Sequence, residues 1–113
     1  MNFDELVNAI TQGLRSVPPE VQVSIRTWSS LGHGQPPDRV TCERTIGSQL
    51  RYMTLFLTEF EEVSFMWGQW PFPPGSEGHG FDSRGFAPLE RCQDFLWKWL
   101  VEGVDWQKMP SMR

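Results

Sequence analysis

The chain carries little that would announce a chemistry. It holds two histidines and two cysteines among 113 residues. His33, His79, Cys42 and Cys92 show none of the short paired spacings by which closed zinc sites are built, so no metal site is expected. Gly75, Gly78 and Gly80 do not stand between a strand pattern and a helix pattern, which excludes a phosphate-cradling loop and gives no reason to expect a cofactor. No apolar run approaches the ~18 residues that cross a bilayer. No basic stripe exists, so nucleic acid is not an expected partner. The opening Met1-Asn2-Phe3-Asp4-Glu5 is acidic and lacks the basic-then-apolar pattern of an export signal. Two cysteines do not make a disulfide framework. A cytoplasmic chain with reduced thiols is the expectation.

What the chain does have is aromatic surface. Eight Phe and six Trp in one short chain are more than a single small core can hide, because Trp is seldom fully buried. Net charge is −4 and uneven: residues 1–56 balance five basic against five acidic groups, whereas residues 57–113 hold five basic and nine acidic. An acidic surface steers toward basic partners, although −4 is also an ordinary value for a soluble domain. Length and hydrophobic content fit one domain over 1–113.

Leu50 to Trp70 is the run around which a core must form. Met53, Leu55 and Leu57 alternate with Tyr52, Thr54, Phe56 and Thr58, a period of two with apolar groups on both sides, which predicts a central strand covered on both faces. Val63, Phe65 and Trp67 continue as a second strand. Between them Glu59, Glu61 and Glu62 form a turn without hairpin residues. The competing reading of 50–62 is a helix capped by Ser48.

Upstream, Phe3, Leu6, Val7, Ile10 and Leu14 fall on one face of a helix over 2–16, with Asn2 and Glu5 as a capping box and Pro18-Pro19 as its stop. Val21, Val23, Ile25 and Thr27 mark a half-buried strand that carries Trp28 on its otherwise polar side. Arg39 to Ile46 reads as the next strand. Val40, Cys42 and Ile46 point inward, Arg44 interrupts that inward side, and Gly47-Ser48-Gln49 turns into the Leu50 strand.

Residues 68–88 contain five Gly and four Pro and predict a long ordered loop pinned by its aromatics. Pro88 opens a final helix. Its stripe of Leu89, Cys92, Phe95, Leu96, Trp99 and Leu100 faces the core, and Gly103 closes it. Leu55, Phe56, Leu57, Phe95, Leu96 and Trp99 are the expected centre of that core, and residues 107–113 are expected to fray. The order predicts an α+β fold: an antiparallel sheet of about four strands with an N-terminal and a C-terminal helix packed on it.

Function is read from what remains exposed. On the final helix Glu90, Asp94, Trp97 and Val101 project away from the stripe, and the end of the loop should bring Asp82 and Phe86 beside them. A Trp flanked by acids has the composition of an interface anchor. The leading expectation is a non-enzymatic protein-binding module, a small acidic inhibitor or immunity-type protein that neutralises a partner such as a basic toxin. A second expectation is a small enzyme or ligand-binding domain whose 68–88 loop closes over His79, Asp82 and Arg84, a histidine beside a carboxylate and a guanidinium. A third is a homodimer that pairs through Trp97.

Overall fold

The computed structural model describes residues 1–58, 62–73, 75 and 83–111. Helix α1 (Phe3–Gly13) leads into strands β1 (Ser24–Trp28), β2 (Arg39–Ile46), β3 (Gln49–Leu57), β4 (Val63–Trp70) and β5 (Ser83–Ala87). Helix α2 (Leu89–Leu96) follows and continues into a π-helical turn over Trp97–Val101. The strands form one antiparallel sheet in sequence order, giving the α+β arrangement predicted from the pattern.

Local chemistry accounts for most of these elements. Asn2 caps α1: its Oδ1 accepts from the Glu5 N–H at 2.8 Å, and the Glu5 carboxylate accepts from the Asn2 N–H at 3.4 Å, the reciprocal box that satisfies two otherwise orphaned donors. Between β2 and β3, Ile46 pairs with Gln49, so the chain reverses in two residues. Gly47 takes φ +62 there, a conformation that costs a glycine nothing.

Both helices lie on one face of the sheet. Leu6 and Ile10 of α1 share one buried cluster with Cys92, Phe95, Leu96, Trp99 and Leu100 and with the inward residues Val40, Cys42, Met53 and Leu55. Trp67 stands between the rings of Phe95 and Trp99, each 4.9 Å away. Cys42 and Cys92 are separate buried thiols.

Four expectations change. Phe56 is not in the core: it lies on the face away from the helices, half-buried under the Arg39 guanidinium at 3.7 Å. β3 is central, but among the described residues only one of its faces is covered by a layer, because both helices follow the same inward apolar set. Residues 68–70 complete β4 and 83–87 form a fifth strand, so both ends of the predicted 68–88 loop are strand, while 74 and 76–82 lie outside the described residues. β5 escapes the sequence pattern because its inward positions hold Gly85 and Ala87; a Cβ on Gly85 would sit 2.9 Å from Phe65 Cζ, so bulk is excluded where a strand normally shows it. At the start of the tail predicted to fray over 107–113, Gln107 and Lys108 instead belong to a 3-10 turn, Trp106–Lys108, capped by Asp105, and Trp106 and Met109 pack on the core. Residues 112 and 113 lie outside the described residues.

Candidate functional site

The face of the sheet opposite the helices is uncovered among the described residues, and strand register fixes what stands on it. Side chains alternate across the sheet, so partners in adjacent strands line up in rows. One row runs Trp28, Arg39, Phe56, Ser64, Phe86. The next runs Arg26, Thr41, Thr54, Met66, Arg84, and a third Ser24, Glu43, Tyr52, Gly68. Leu50 and Trp70 pair beyond these.

The centre of this face is low and polar, and its margins are high and aromatic. Thr41, Thr54 and Ser64 are buried. The Thr41 and Thr54 hydroxyls bond each other at 2.8 Å, and Trp28 Nε1 donates to Thr41 Oγ1 at 2.8 Å. That chain holds the Trp28 ring down on β2. Arg26, Trp28, Thr41, Glu43, Leu50, Tyr52 and Thr54 line a trough of about 260 Å³. At the margins Trp70 is 64% and Phe86 56% exposed, and Trp70 meets Phe72 edge to face at 5.4 Å.

The charged groups of the face are held in place. Arg26 Nε donates to Glu43 Oε1 at 2.8 Å. Arg39 stacks on Phe56 and donates to Asp38 Oδ2 at 3.2 Å. The Asp38 carboxyl lies below its ordinary pKa, chiefly because Ser30 donates to it through hydroxyl and backbone, with Arg39 adding to the effect. Glu43 stands in the row beside the hydroxyl pair, and its carboxylate is engaged by Arg26.

The residues singled out from sequence are dispersed. Glu90 and Asp94 are exposed on α2. Trp97 is half-buried and, with Ile10, Leu14, Gln93, Asp94 and Leu96, lines a groove of about 240 Å³ between α1 and α2. Val101 does not join them: it is only 8% exposed. The cause is the π turn, in which the Glu102 N–H donates to the Trp97 carbonyl at 2.9 Å. That wider turn draws Val101 back toward the stripe, where Arg44 holds its carbonyl at 2.8 Å. Phe86 and Arg84 stand on the open face, with the whole sheet between them and α2, so the expected union of Phe86 with Trp97 is not formed. His79 and Asp82, like Glu59 and Glu61, lie outside the described residues. Among the described residues no group of three His, Cys, Asp or Glu is placed to hold a metal ion, and His33 is exposed in the loop before β2. No helix among them is long and apolar enough to cross a membrane.

Tyr52 and Phe56 share this face with Trp28, whose place on the polar side of the first strand was the available signal in the sequence. The chain matches no family model, and comparison with curated proteins and with solved structures likewise finds no match.

Proposed function

We propose that this chain is a non-enzymatic protein-binding module that engages its partner through the open face of the sheet. The observation that carries the reading is the concentration of Trp28, Tyr52, Phe56, Trp70 and Phe86 on a face with no helix over it among the described residues. Aromatic side chains and arginine are the groups enriched at the energetic centres of interfaces. Tyr and Trp also contribute large contact area for few rotatable bonds. Within this class the inhibitor or immunity-type role is the narrower reading, supported by small size. A cytoplasmic setting goes with it, since both thiols are unpaired and buried.

The test is photo-crosslinking. A crosslinking residue at Tyr52 or Phe86 should capture a partner that the same residue at Glu90 or Asp94 does not, and Tyr52→Ala with Phe86→Ala should release it. A partner captured from the α2 positions and indifferent to the open-face substitutions would move the site to the groove beside Trp97. Capture of a second copy of the chain, with a doubled mass in solution, would replace partner recognition by self-association. The enzyme reading predicts an activity lost in His79→Ala and kept in Phe86→Ala.

A further inference from the structure

The open face and the helix layer differ in charge. Residues 1–23 and 88–111, which hold both helices, carry seven acidic and four basic groups, a net of −3. Among the described residues the outward strand positions carry Arg26, Arg39 and Arg84 against Glu43, and Asp38 at the margin offsets Arg39, a net of +1. An otherwise acidic protein therefore presents three of its eight arginines where it presents its aromatics. A second copy of the same face would set arginine against arginine, and a basic partner would meet the wrong sign.

The two arginines at the ends of one row set a spacing. Arg26 and Arg84 flank Thr41, Thr54 and Met66. Four interstrand steps of ~4.8 Å separate them, about 19 Å. An extended chain rises ~3.3 Å per residue, so two of its side chains about six positions apart span the same distance and point to the same side. The parallel row offers Trp28, Phe56 and Phe86 to side chains in between. Glu43 takes the Nε–H of Arg26, yet the Arg26 side chain remains 61% exposed, so much of its planar donor fork faces water.

We infer that the open face binds an extended acidic segment of a partner protein, with carboxylates about six residues apart on Arg26 and Arg84 and apolar side chains against the aromatic row. This rests on the protein-binding reading above and specifies the partner's chemistry. Glu43 acts as a built-in competitor for one carboxylate, which gives the inference a sign that simple aromatic stickiness lacks.

The experiment is selection of phage-displayed random dodecapeptides on the immobilised full chain, followed by titration of the winning peptides, a lysine-substituted version of each, and oligo(U). Selected peptides should be rich in Asp or Glu and in aromatic or aliphatic residues. Arg26→Ala with Arg84→Ala should weaken them at least tenfold, Glu43→Gln should tighten them severalfold, and lysine versions should not bind. Circular dichroism of each variant checks the fold. Neutral or basic peptides that are lost in Tyr52→Ala with Phe86→Ala would overturn the acidic inference and leave the protein-binding face standing. No enrichment, or peptides indifferent to every open-face substitution, would overturn both. Tight oligo(U) binding with the same arginine dependence would assign the face to single-stranded nucleic acid instead.

Discussion

Arg44 and Arg51 stand directly opposite one another on β2 and β3, and both reach into the C-terminal end of the last helix. Arg44 Nη1 donates to the Leu100 and Val101 carbonyls at 2.9 and 2.8 Å. Arg51 Nη1 donates to the Trp99 and Val104 carbonyls at 3.0 and 2.8 Å, while its guanidinium lies 3.9 Å over the Trp99 ring. Like charges facing each other across a ladder normally repel. Here each cation meets the carbonyls that a helix end leaves unpaired, at the negative end of its dipole. Burial pulls Arg51 below its ordinary pKa, Asp105 acts in the other direction, and Arg44 adds to the lowering. The pair clamps helix to sheet.

Removing one arm of that clamp should cost heavily. Arg51 is only 6% exposed, and its Nε also holds the buried Gln69 side chain. Arg51→Ala strands two carbonyls and that amide, so a loss of about 3 kcal/mol is expected in urea titration. A loss under ~1 kcal/mol would mean that water takes over the carbonyls.

Phe95→Ala tests the core. Phe95 is 2% exposed and packs on Trp67; the transfer and cavity terms together should lower stability by ~3–5 kcal/mol. A change within half a kcal/mol, on the order of a surface substitution, would remove Phe95 from the centre of the molecule.

Gly85→Ala should destabilise by ~1–3 kcal/mol, because the added methyl meets the Phe65 ring in a filled layer. The diagnostic is rescue. Gly85→Ala in a Phe65→Leu background should cost less than in wild type; equal costs in the two backgrounds would place the strain elsewhere.

The two thiols make stability fall at high pH. Burial pushes Cys42 and Cys92 up to about 12, with Glu43 adding to the effect at Cys42. In the unfolded chain they ionise near ~8.5, so the unfolded state sheds protons first. Their contribution is fully present below about pH 8.5 and is lost as pH rises toward 12. Cys42→Ala with Cys92→Ala should flatten the alkaline slope of the denaturation midpoint. A thiol reagent at pH 8 should label neither cysteine in the native protein and both after unfolding.

Phe86→Ala and Trp97→Ala separate the two candidate surfaces by stability as well as by binding. Phe86 is largely exposed on the sheet, and its truncation should change stability by under ~0.5 kcal/mol. Trp97 fills the wall between α1 and α2, and its loss should cost ~1–2 kcal/mol. Thermal melts of the two variants side by side give the comparison, and a larger loss for Phe86→Ala would overturn the assignment.

Residue pattern alone determined those elements whose causes are local. The Asn2–Glu5 box, the Leu6 and Ile10 face of α1, the stripe from Cys92 to Leu100 and the Gly103 stop at φ +68 follow from helical period and capping, which involve neighbours three or four residues away. The β2–β3 reversal at Gly47 is equally local. Only the tertiary structure decided which face of the sheet the helices cover. Alternation reveals that β3 is apolar on both sides; it does not say that the Met53 and Leu55 side meets Trp99 and Leu100 while Tyr52 and Phe56 take the face away from the helices. The same holds for Arg44 and Arg51. In sequence they interrupt an inward apolar set, and the carbonyls that make their burial favourable lie some 50 positions away. β5 was hidden for a related reason, since Gly85 is small to make room for Phe65 on another strand. Each of these features is a contact between distant segments, and its energy exists only once the chain has closed around it.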